Sequence, residues 1–195
     1  MTSQCLLDWA LVLLLTTTAF SLDCHFQRCK GNWEILEHLK NLGEKFPLQC
    51  LKDRSNFRFF QVSKSNLFSK ENALIAKEND EMLQQIFNTF SLNVSQSFWN
   101  ESSLERFLSR LYQQIEKTEV CLEQETRKEG RSLLQRGNTI FRLKNYFQGI
   151  HNYLHHQNYS NCAWEVIHVE IRRGLLFIEQ CTRRLQYQET GYLHK

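Results

Sequence analysis

Apolar residues recur at steps of three and four along most of this chain, the spacing that places them on one face of an α-helix. The pattern is clearest late in the sequence, at Trp164, Ile167, Ile171, Gly174, Ile178, Cys181 and Leu185. We predict that the other helices pack against this last helix and that its opposite face is exposed. The residues of that opposite face mix cations with apolar groups and are His168, Val169, Arg172, Arg173 and Leu176.

Four earlier segments show the same spacing. They predict a first helix over residues 32 to 46, a second over 73 to 90, a third from Ser102 to about 122 and a fourth from about 138 to 154. The stretch from Pro47 to Asn72 lacks helical spacing and is predicted to be a long crossover, ordered by its aromatic residues. The charged run from Glu123 to Gly137 is predicted to be a mobile loop. These elements predict an all-α, up-up-down-down bundle with five main helices and a long first crossover.

The start of the third helix carries two local signals. Ser102 and Glu105 match a capping box, in which each side chain satisfies a backbone N–H of the first helical turn. Phe98 and Trp99, just before Asn100, are interpreted as a hydrophobic staple that closes the preceding loop onto this helix.

Residues 1–21 are interpreted as a secretory signal peptide, followed by one domain over residues 22–195. The run from Leu6 to Phe20 is short and mainly apolar, and small residues precede the expected cleavage site. No later run approaches the roughly 20 apolar residues that a membrane-spanning helix needs. We therefore expect a secreted, extracellular protein without membrane insertion.

Secretion changes the interpretation of the seven cysteines, because thiols pair by default in an oxidising compartment. Loss of Cys5 with the signal peptide leaves an even number, which permits three disulfides. Counting alone leaves every pairing open.

Three Asn-X-Ser motifs begin at Asn93, Asn100 and Asn158. In a secreted protein this motif predicts N-glycosylation and an exposed backbone.

The sequence gives little support for catalysis. His151 and His155 are four residues apart and could share a metal, but the segment lacks the Glu of a zinc protease and the spacing dictates no third ligand. Oxidised cysteines are not nucleophiles, and a Gly-rich phosphate loop is missing from the sequence. The formal net charge of +3 is small and dispersed. We expect no enzymatic activity, no metal or other cofactor, and no nucleic-acid partner.

Three motifs of the chain resemble type I interferons. They are Cys50–Phe57 (CLKDRSNF), Glu81–Phe87 (EMLQQIF) and Tyr159–Val166 (YSNCAWEV). The Cys-Ala-Trp run at the start of the last helix is highly specific to that family, and the match spans the predicted mature chain in order. Local matches point to two different subtypes, so the sequence leaves the subtype open.

The resemblance implies a monomeric secreted cytokine that brings together the two chains of the type I interferon receptor, whose Janus kinases then drive an antiviral programme. It implies that the high-affinity chain contacts Leu51, Arg54, His168, Val169, Arg172 and Arg173. It implies that the second chain contacts Phe87, Asn88, Phe107, Leu108, Tyr112 and Lys144. The residue types agree in part, because Arg beside exposed Leu or Val is typical of interface hot spots. Phe87 and Phe107 suit a core equally well.

The resemblance also implies two disulfides, Cys24 with Cys121 and Cys50 with Cys162. The place of Cys50 in a crossover that needs an anchor suggests the second of these independently. Cys29 and Cys181 are assigned to each other because the first helix of such a bundle starts where the last one finishes. A buried free thiol at Cys181 is the alternative.

Two other functions remain open at this point. A secreted carrier would hold an apolar ligand between the helices, but it needs a cavity and small inward residues, whereas these seams hold Leu, Ile and Phe. A helical cytokine for another receptor is opposed only by the resemblance.

Overall fold

The computed structural model describes residues 31–43, 46–57, 72–92, 99–128 and 133–192, with side chains in these ranges except at 72–76, 124–139 and 181–192. The helices are α1 (31–40), a short 3-10 helix (Leu48–Asp53), α2 (Asn72–Ser91), α3 (Glu101–Lys128), α4 (Leu133–His156) and α5 (Asn161–Tyr192). No strand lies within these ranges, and the all-α prediction is confirmed. No helix in the described part combines the length and apolar character needed to cross a bilayer.

Helix α5 is the centre of the core. Trp164, Ile167 and Ile171 are completely buried, as the spacing predicts. Burial extends around the first turns of the helix, because every residue from 163 to 168 is buried. The beginning of α5 is therefore covered on almost every side, more fully than a one-faced helix would be.

The other elements each bury apolar side chains in the same core. The largest of these side chains include Ile35 and Leu39 of α1, Met82, Ile86 and Phe90 of α2, Phe107 and Leu111 of α3, and Phe147 and Ile150 of α4. The Phe90 ring centroid lies 5.1 Å from that of Phe107 and 5.8 Å from that of Trp164. Each such side chain contributes about 1.5 to 3 kcal/mol when it is fully buried.

The start of α3 differs from the predicted capping box. The backbone N–H of Ser103 donates a hydrogen bond to Oδ1 of Asn100 at 3.1 Å, so Asn100 is the capping residue and Ser102 lies inside the first turn. Trp99 is buried, and its ring centroid lies 5.4 Å from those of both Phe90 and Trp164. It therefore fastens the start of α3 to the centre of the bundle, while Phe98 lies outside the described residues.

Three predicted helix boundaries are wrong. The charged run from Glu123 to Gly137 is helical over most of its length, since α3 continues to Lys128 and α4 begins at Leu133 rather than near residue 138. Its Glu, Gln, Lys, Arg and Leu residues are good helix formers, so helix propensity favours a helix there even without an apolar stripe. Helix α1 is shorter than predicted, because residues 41–42 form a turn.

A buried polar layer lies between α1, α2 and α3. Nδ2 of Asn32 donates a hydrogen bond to Oδ1 of Asn79 at 3.0 Å. The hydroxyl of Thr118 donates to Oδ1 of Asp80 at 3.1 Å, and Nε2 of Gln84 donates to the other carboxylate oxygen of Asp80 at 3.1 Å. Asp80 thus bridges α2 and α3 through its carboxyl group.

Burial raises the pKa of Asp80 to about 6. The hydrogen bond from Thr118 opposes this shift, whereas the nearby Glu119 and Glu81 carboxylates add to it. Folding therefore favours the neutral carboxyl group. The contribution of Asp80 to stability increases as pH falls from about 6 towards the pKa that Asp80 has in the unfolded chain. At neutral pH the charged group is a cost to the fold.

Asp80→Asn is expected to increase the free energy of unfolding at pH 7.4 by about 1 kcal/mol, allowing for partial solvent screening of the charge. The amide oxygen still accepts from Thr118, and Gln84 turns its amide to accept from the new Nδ2, giving up its exposed 3.3 Å hydrogen bond to Glu119. Urea unfolding from pH 4 to 7.4 checks this, because the gain should shrink as pH falls and the wild-type carboxyl takes up its proton. A constant difference between the two proteins across that range would contradict the assignment.

Candidate functional site

The crossover strap, defined as residues 46–57, is tied to the first turn of α5. Cys50 is buried and forms a disulfide with Cys162, and the two Cα atoms are 5.1 Å apart. This is the pairing that the family resemblance implies. It holds the 3-10 helix of the strap against the most buried part of α5.

A second attachment joins the strap to α4. The hydroxyl of Tyr153 donates a hydrogen bond to the carbonyl oxygen of Asp53 at 2.7 Å. The ring of Phe57 packs edge-on against the ring of Tyr153, with centroids 5.2 Å apart. The crossover was expected to be ordered by its aromatic residues, and the packing of Phe57 fits this expectation. Residues 58–71, which include Phe59 and Phe60, lie outside the described part.

The strap exposes apolar and cationic side chains on its outer side. Leu48 is 81% exposed and Leu51 is 47% exposed. Arg54 is exposed as well, and its guanidinium carbon lies 5.6 Å from the ring centroid of Phe46. A cation over an aromatic face is held in place while its N–H groups stay available. The strap thus presents a leucine and an oriented arginine on a fixed backbone.

The exposed face of α5 continues this chemistry. Arg172 and Arg173 are exposed, Leu176 is 39% exposed and Val169 is partly buried. We call Leu51, Arg54, Val169, Arg172 and Arg173 together the strap–α5 surface. Its two elements are joined by the Cys50–Cys162 disulfide.

Arg173 is positioned by two buried residues, Glu170 and Tyr146, that were not among the predicted site residues. Its Nη1 lies 3.3 Å from Oε2 of Glu170, and the hydroxyl of Tyr146 on α4 donates to Oε1 of the same carboxylate at 3.1 Å. Burial, with the neighbouring Glu170 carboxylate, raises the pKa of Tyr146, so the hydroxyl keeps its proton and remains a donor. The i,i+3 spacing of Glu170 and Arg173 was a usable signal, whereas the contribution of Tyr146 depends on tertiary packing.

His168 does not lie on the strap–α5 surface, and the prediction that it faces solvent is wrong. It is only 5% exposed, and its Nε2 lies 2.8 Å from the carbonyl oxygen of Leu39. Because a carbonyl oxygen only accepts, Nε2 carries the proton. Burial lowers the pKa of His168, which favours the neutral ring. The residue follows Trp164 by four positions and therefore shares its inward face.

A second candidate surface spans α2, α3 and α4. The ring centroids of Phe87 and Tyr112 are 6.2 Å apart, and Tyr112 is 52% exposed. Asn88 and Lys144 are exposed, Leu108 is partly buried, and Nζ of Lys144 lies 3.7 Å from a carboxylate oxygen of Glu81.

Phe107 belongs to the core, because its side chain is fully buried. This was the alternative that its residue type left open. We call Phe87, Asn88, Leu108, Tyr112 and Lys144 the α2–α3–α4 surface.

The remaining predicted cysteines and acceptor asparagines are only partly within the described residues. Cys121 is buried and disulfide-bonded, while its predicted partner Cys24 lies outside the described part, as do Cys29, Asn93 and the side chain of Cys181. Asn100 and Asn158 are both exposed.

The two histidines considered as a metal pair both lie on α4 and differ in burial. His151 is half-buried with Nε2 3.4 Å from the hydroxyl of Thr89, and burial lowers its pKa. His155 is exposed on the same helix. Within the part of the chain that the structure describes, no three metal-ligating side chains come together.

The sequence matches known proteins over most of its length. The family model of the interferon alpha/beta domain matches residues 24–185. The chain is 38% identical to interferon beta of Tachyglossus aculeatus aculeatus over 190 residues, which is 95% of this chain and 100% of that protein. It is 41% identical to interferon epsilon of Homo sapiens over 182 residues, which is 91% of this chain and 86% of that protein.

A solved structure shares the fold. Zebrafish interferon 2 superposes with a TM-score of 0.65 at 23% sequence identity, covering 78% of this chain and 97% of that chain. This agrees with the helical cytokine bundle that the sequence pattern predicts. The domain match and the two relatives together show that the chain belongs to the type I interferon family of antiviral cytokines.

Proposed function

We propose that the protein is a secreted monomeric ligand that binds both chains of the type I interferon receptor, brings their Janus kinases together and induces an antiviral state. Family membership supports the receptor and the outcome. In this proposal residues 1–21 are a signal peptide that is removed from the domain over 22–195.

The strap–α5 surface carries the proposal for the high-affinity chain. It combines an exposed leucine with exposed arginines, a composition enriched in interface hot spots. The strap is tied to α5 by a disulfide and to α4 by the Tyr153 hydrogen bond. Because the strap is already held in place, less conformational entropy is lost when the receptor chain binds.

The α2–α3–α4 surface is assigned to the second chain. In its aromatic pair, the exposed ring of Tyr112 packs against the partly buried ring of Phe87. Lys144 adds a cation at its border. The buried residues His168 and Phe107 support the two surfaces and make no direct contact in this proposal.

A carrier of apolar ligands is not favoured by the described core. The space between the helices is filled by large side chains such as Trp164, Phe90 and Phe147. A surface groove between α1 and α3 is lined by charged and polar groups instead, including Arg106 and Arg110. Neither place suits an apolar molecule.

A reporter assay tests the proposal directly. The purified protein is applied to an interferon-responsive reporter line and to matched lines that lack one or the other receptor chain. We expect a signal in the parental line alone, and its restoration when the missing chain is supplied again. A signal that persists without either chain would show that another receptor is used and would overturn the proposal.

Tyr146→Phe is expected to weaken binding to the high-affinity chain by about 0.5 to 1 kcal/mol, roughly two- to fivefold in Kd. Tyr146 is buried and cannot touch a partner, so the loss reflects a less well-held Glu170 and Arg173. Surface plasmon resonance on the wild type, both single variants and the Tyr146→Phe/Arg173→Ala double variant checks this. The Tyr146 effect should disappear when Arg173 is already absent, and additive losses would rule out this positioning role.

A further inference from the structure

Asn158 lies in the turn between α4 and α5 in a conformation that suits asparagine. Its φ is 49° and that of Tyr159 is 54°, in the left-handed region that Asn tolerates better than most residues. The backbone N–H groups of Asn158 and Tyr159 donate to the carbonyl oxygens of His155 and Leu154 at 3.0 and 2.9 Å. These bonds close the end of α4 and leave Asn158 exposed.

The turn is joined to the crossover strap on both sides of Asn158. Five residues earlier, Tyr153 bonds to Asp53 of the strap. Four residues later, Cys162 bonds to Cys50, with their Cα atoms 5.1 Å apart. Four Cα–Cα steps of about 3.8 Å place Asn158 at most about 15 Å from Cys162. A glycan on Asn158 would therefore start within about 15 Å of the Cys162 Cα atom, where α5 is joined to the strap.

The two residues after Asn158 hold the turn in place. The hydroxyl of Ser160 accepts a hydrogen bond from the backbone N–H of Ala163 at 3.2 Å and so caps α5. Tyr159 is partly buried, with its ring centroid 6.5 Å from that of Trp164. A group attached at Asn158 thus has a rigid base.

Asn158, Tyr159 and Ser160 form an acceptor motif for N-glycosylation. In that reaction an oligosaccharide carried on a lipid diphosphate is transferred to the side-chain amide. A bond forms between Nδ2 of Asn158 and the anomeric carbon of the sugar, Nδ2 loses a proton, and the bond from that carbon to the diphosphate breaks, so the lipid diphosphate leaves. The product is a bulky, hydrated chain at the protein surface.

We propose that an N-linked glycan on Asn158 stands over the border of the crossover strap and slows association with the high-affinity receptor chain, an inference that rests on the proposed function. The contact residues themselves stay unchanged, so the dissociation rate changes little. We expect the association rate to be about three- to tenfold lower with the glycan than without it, within the range over which association rates vary for one interface. The glycan then sets the potency of the ligand without altering its binding residues.

The test compares wild type with Asn158→Asp, both secreted from mammalian cells. Asp tolerates the left-handed conformation and removes the acceptor amide. Wild type and Asn158→Asp are also made in a host that does not glycosylate. Any difference between their rates there comes from the added charge alone. Asn100→Asp is the matched control, since Asp keeps the α3 cap that Asn100 provides and removes another acceptor.

Two readouts decide the outcome, glycopeptide mass spectrometry for occupancy and surface plasmon resonance on the high-affinity receptor chain for rates. We expect a glycan on Asn158 and an association rate that rises in Asn158→Asp more than in Asn100→Asp. An unmodified Asn158, equal rates for wild type and Asn158→Asp, or an equal rise in both variants would overturn the inference. Failure of every form to bind either receptor chain would contradict the proposed function as well, whereas loss of the rate difference alone contradicts only the role of the glycan.

Discussion

Replacing both Cys50 and Cys162 with alanine is expected to lower the free energy of unfolding by about 4 to 5 kcal/mol. The two residues are 112 positions apart, and a cross-link over so long a segment removes much of the conformational entropy of the unfolded chain. Since a domain is typically stable by only about 5 to 15 kcal/mol, the double variant should lose about a third or more of its stability. Guanidinium unfolding without reductant, followed by circular dichroism, measures the difference.

The double replacement avoids a free thiol, and a Cys50→Ser/Cys162→Ser version controls for the small change in buried volume and polarity. Both versions should lose similar stability if the cross-link is what matters. Unfolding free energies within about 1 kcal/mol of wild type would show that the disulfide contributes little and that the Tyr153 attachment suffices to hold the strap. If the variants fold only in stabilising osmolyte, the comparison is made there for all proteins.

Arg54→Ala and Arg173→Ala are each expected to weaken binding to the high-affinity receptor chain by about 2 kcal/mol, roughly thirtyfold in Kd. Both arginines are exposed and neither belongs to the core, so both variants should keep the fold. Arg173→Ala removes an ion pair, and the buried Glu170 carboxylate keeps its hydrogen bond from Tyr146. The loss should appear mainly in the dissociation rate. Each substitution removes contacts made in the complex and leaves the approach of the two partners largely unchanged. Surface plasmon resonance with each receptor chain gives both rates.

Lys117→Ala is the control, since Lys117 is an exposed cation on α3 outside both proposed surfaces. It should change affinity by less than about 0.5 kcal/mol. Arg173→Lys adds a sharper comparison, because an ammonium keeps the charge but loses the planar guanidinium. If both Arg→Ala variants are folded and retain wild-type affinity, the strap–α5 surface is not the high-affinity site.

The apolar spacing was enough to locate the core of α5. Trp164, Ile167 and Ile171 recur at helical steps and are all buried, because a helix in a bundle must cover its apolar stripe. The same reasoning did not reveal the burial of His168. His168 is buried by contacts with Leu39 and Trp99, which lie in other parts of the chain. From sequence alone, a polar residue is predicted to be exposed unless its buried hydrogen-bond partner is known.

Charge patterning misled the prediction between α3 and α4. A run of charged residues was interpreted as a loop, although Glu, Lys and Arg form exposed helices readily. The helices on either side, ending at Lys128 and beginning at Leu133, show that helix propensity outweighs the absence of an apolar stripe there. The capping residue of α3 was missed for a related reason, since both Asn100 and Ser102 are suitable types and only the backbone distinguishes them.

The strap of residues 46–57 receives its shape from elsewhere in the chain. Cys162 and Tyr153 hold it, and both lie about a hundred positions away in the sequence. A synthetic peptide that copies the strap alone would therefore keep the side chains and lose their arrangement. Antibodies raised against such a peptide should recognise the reduced, unfolded chain better than the native cytokine, and a useful mimic would have to carry the α4–α5 turn along with the strap.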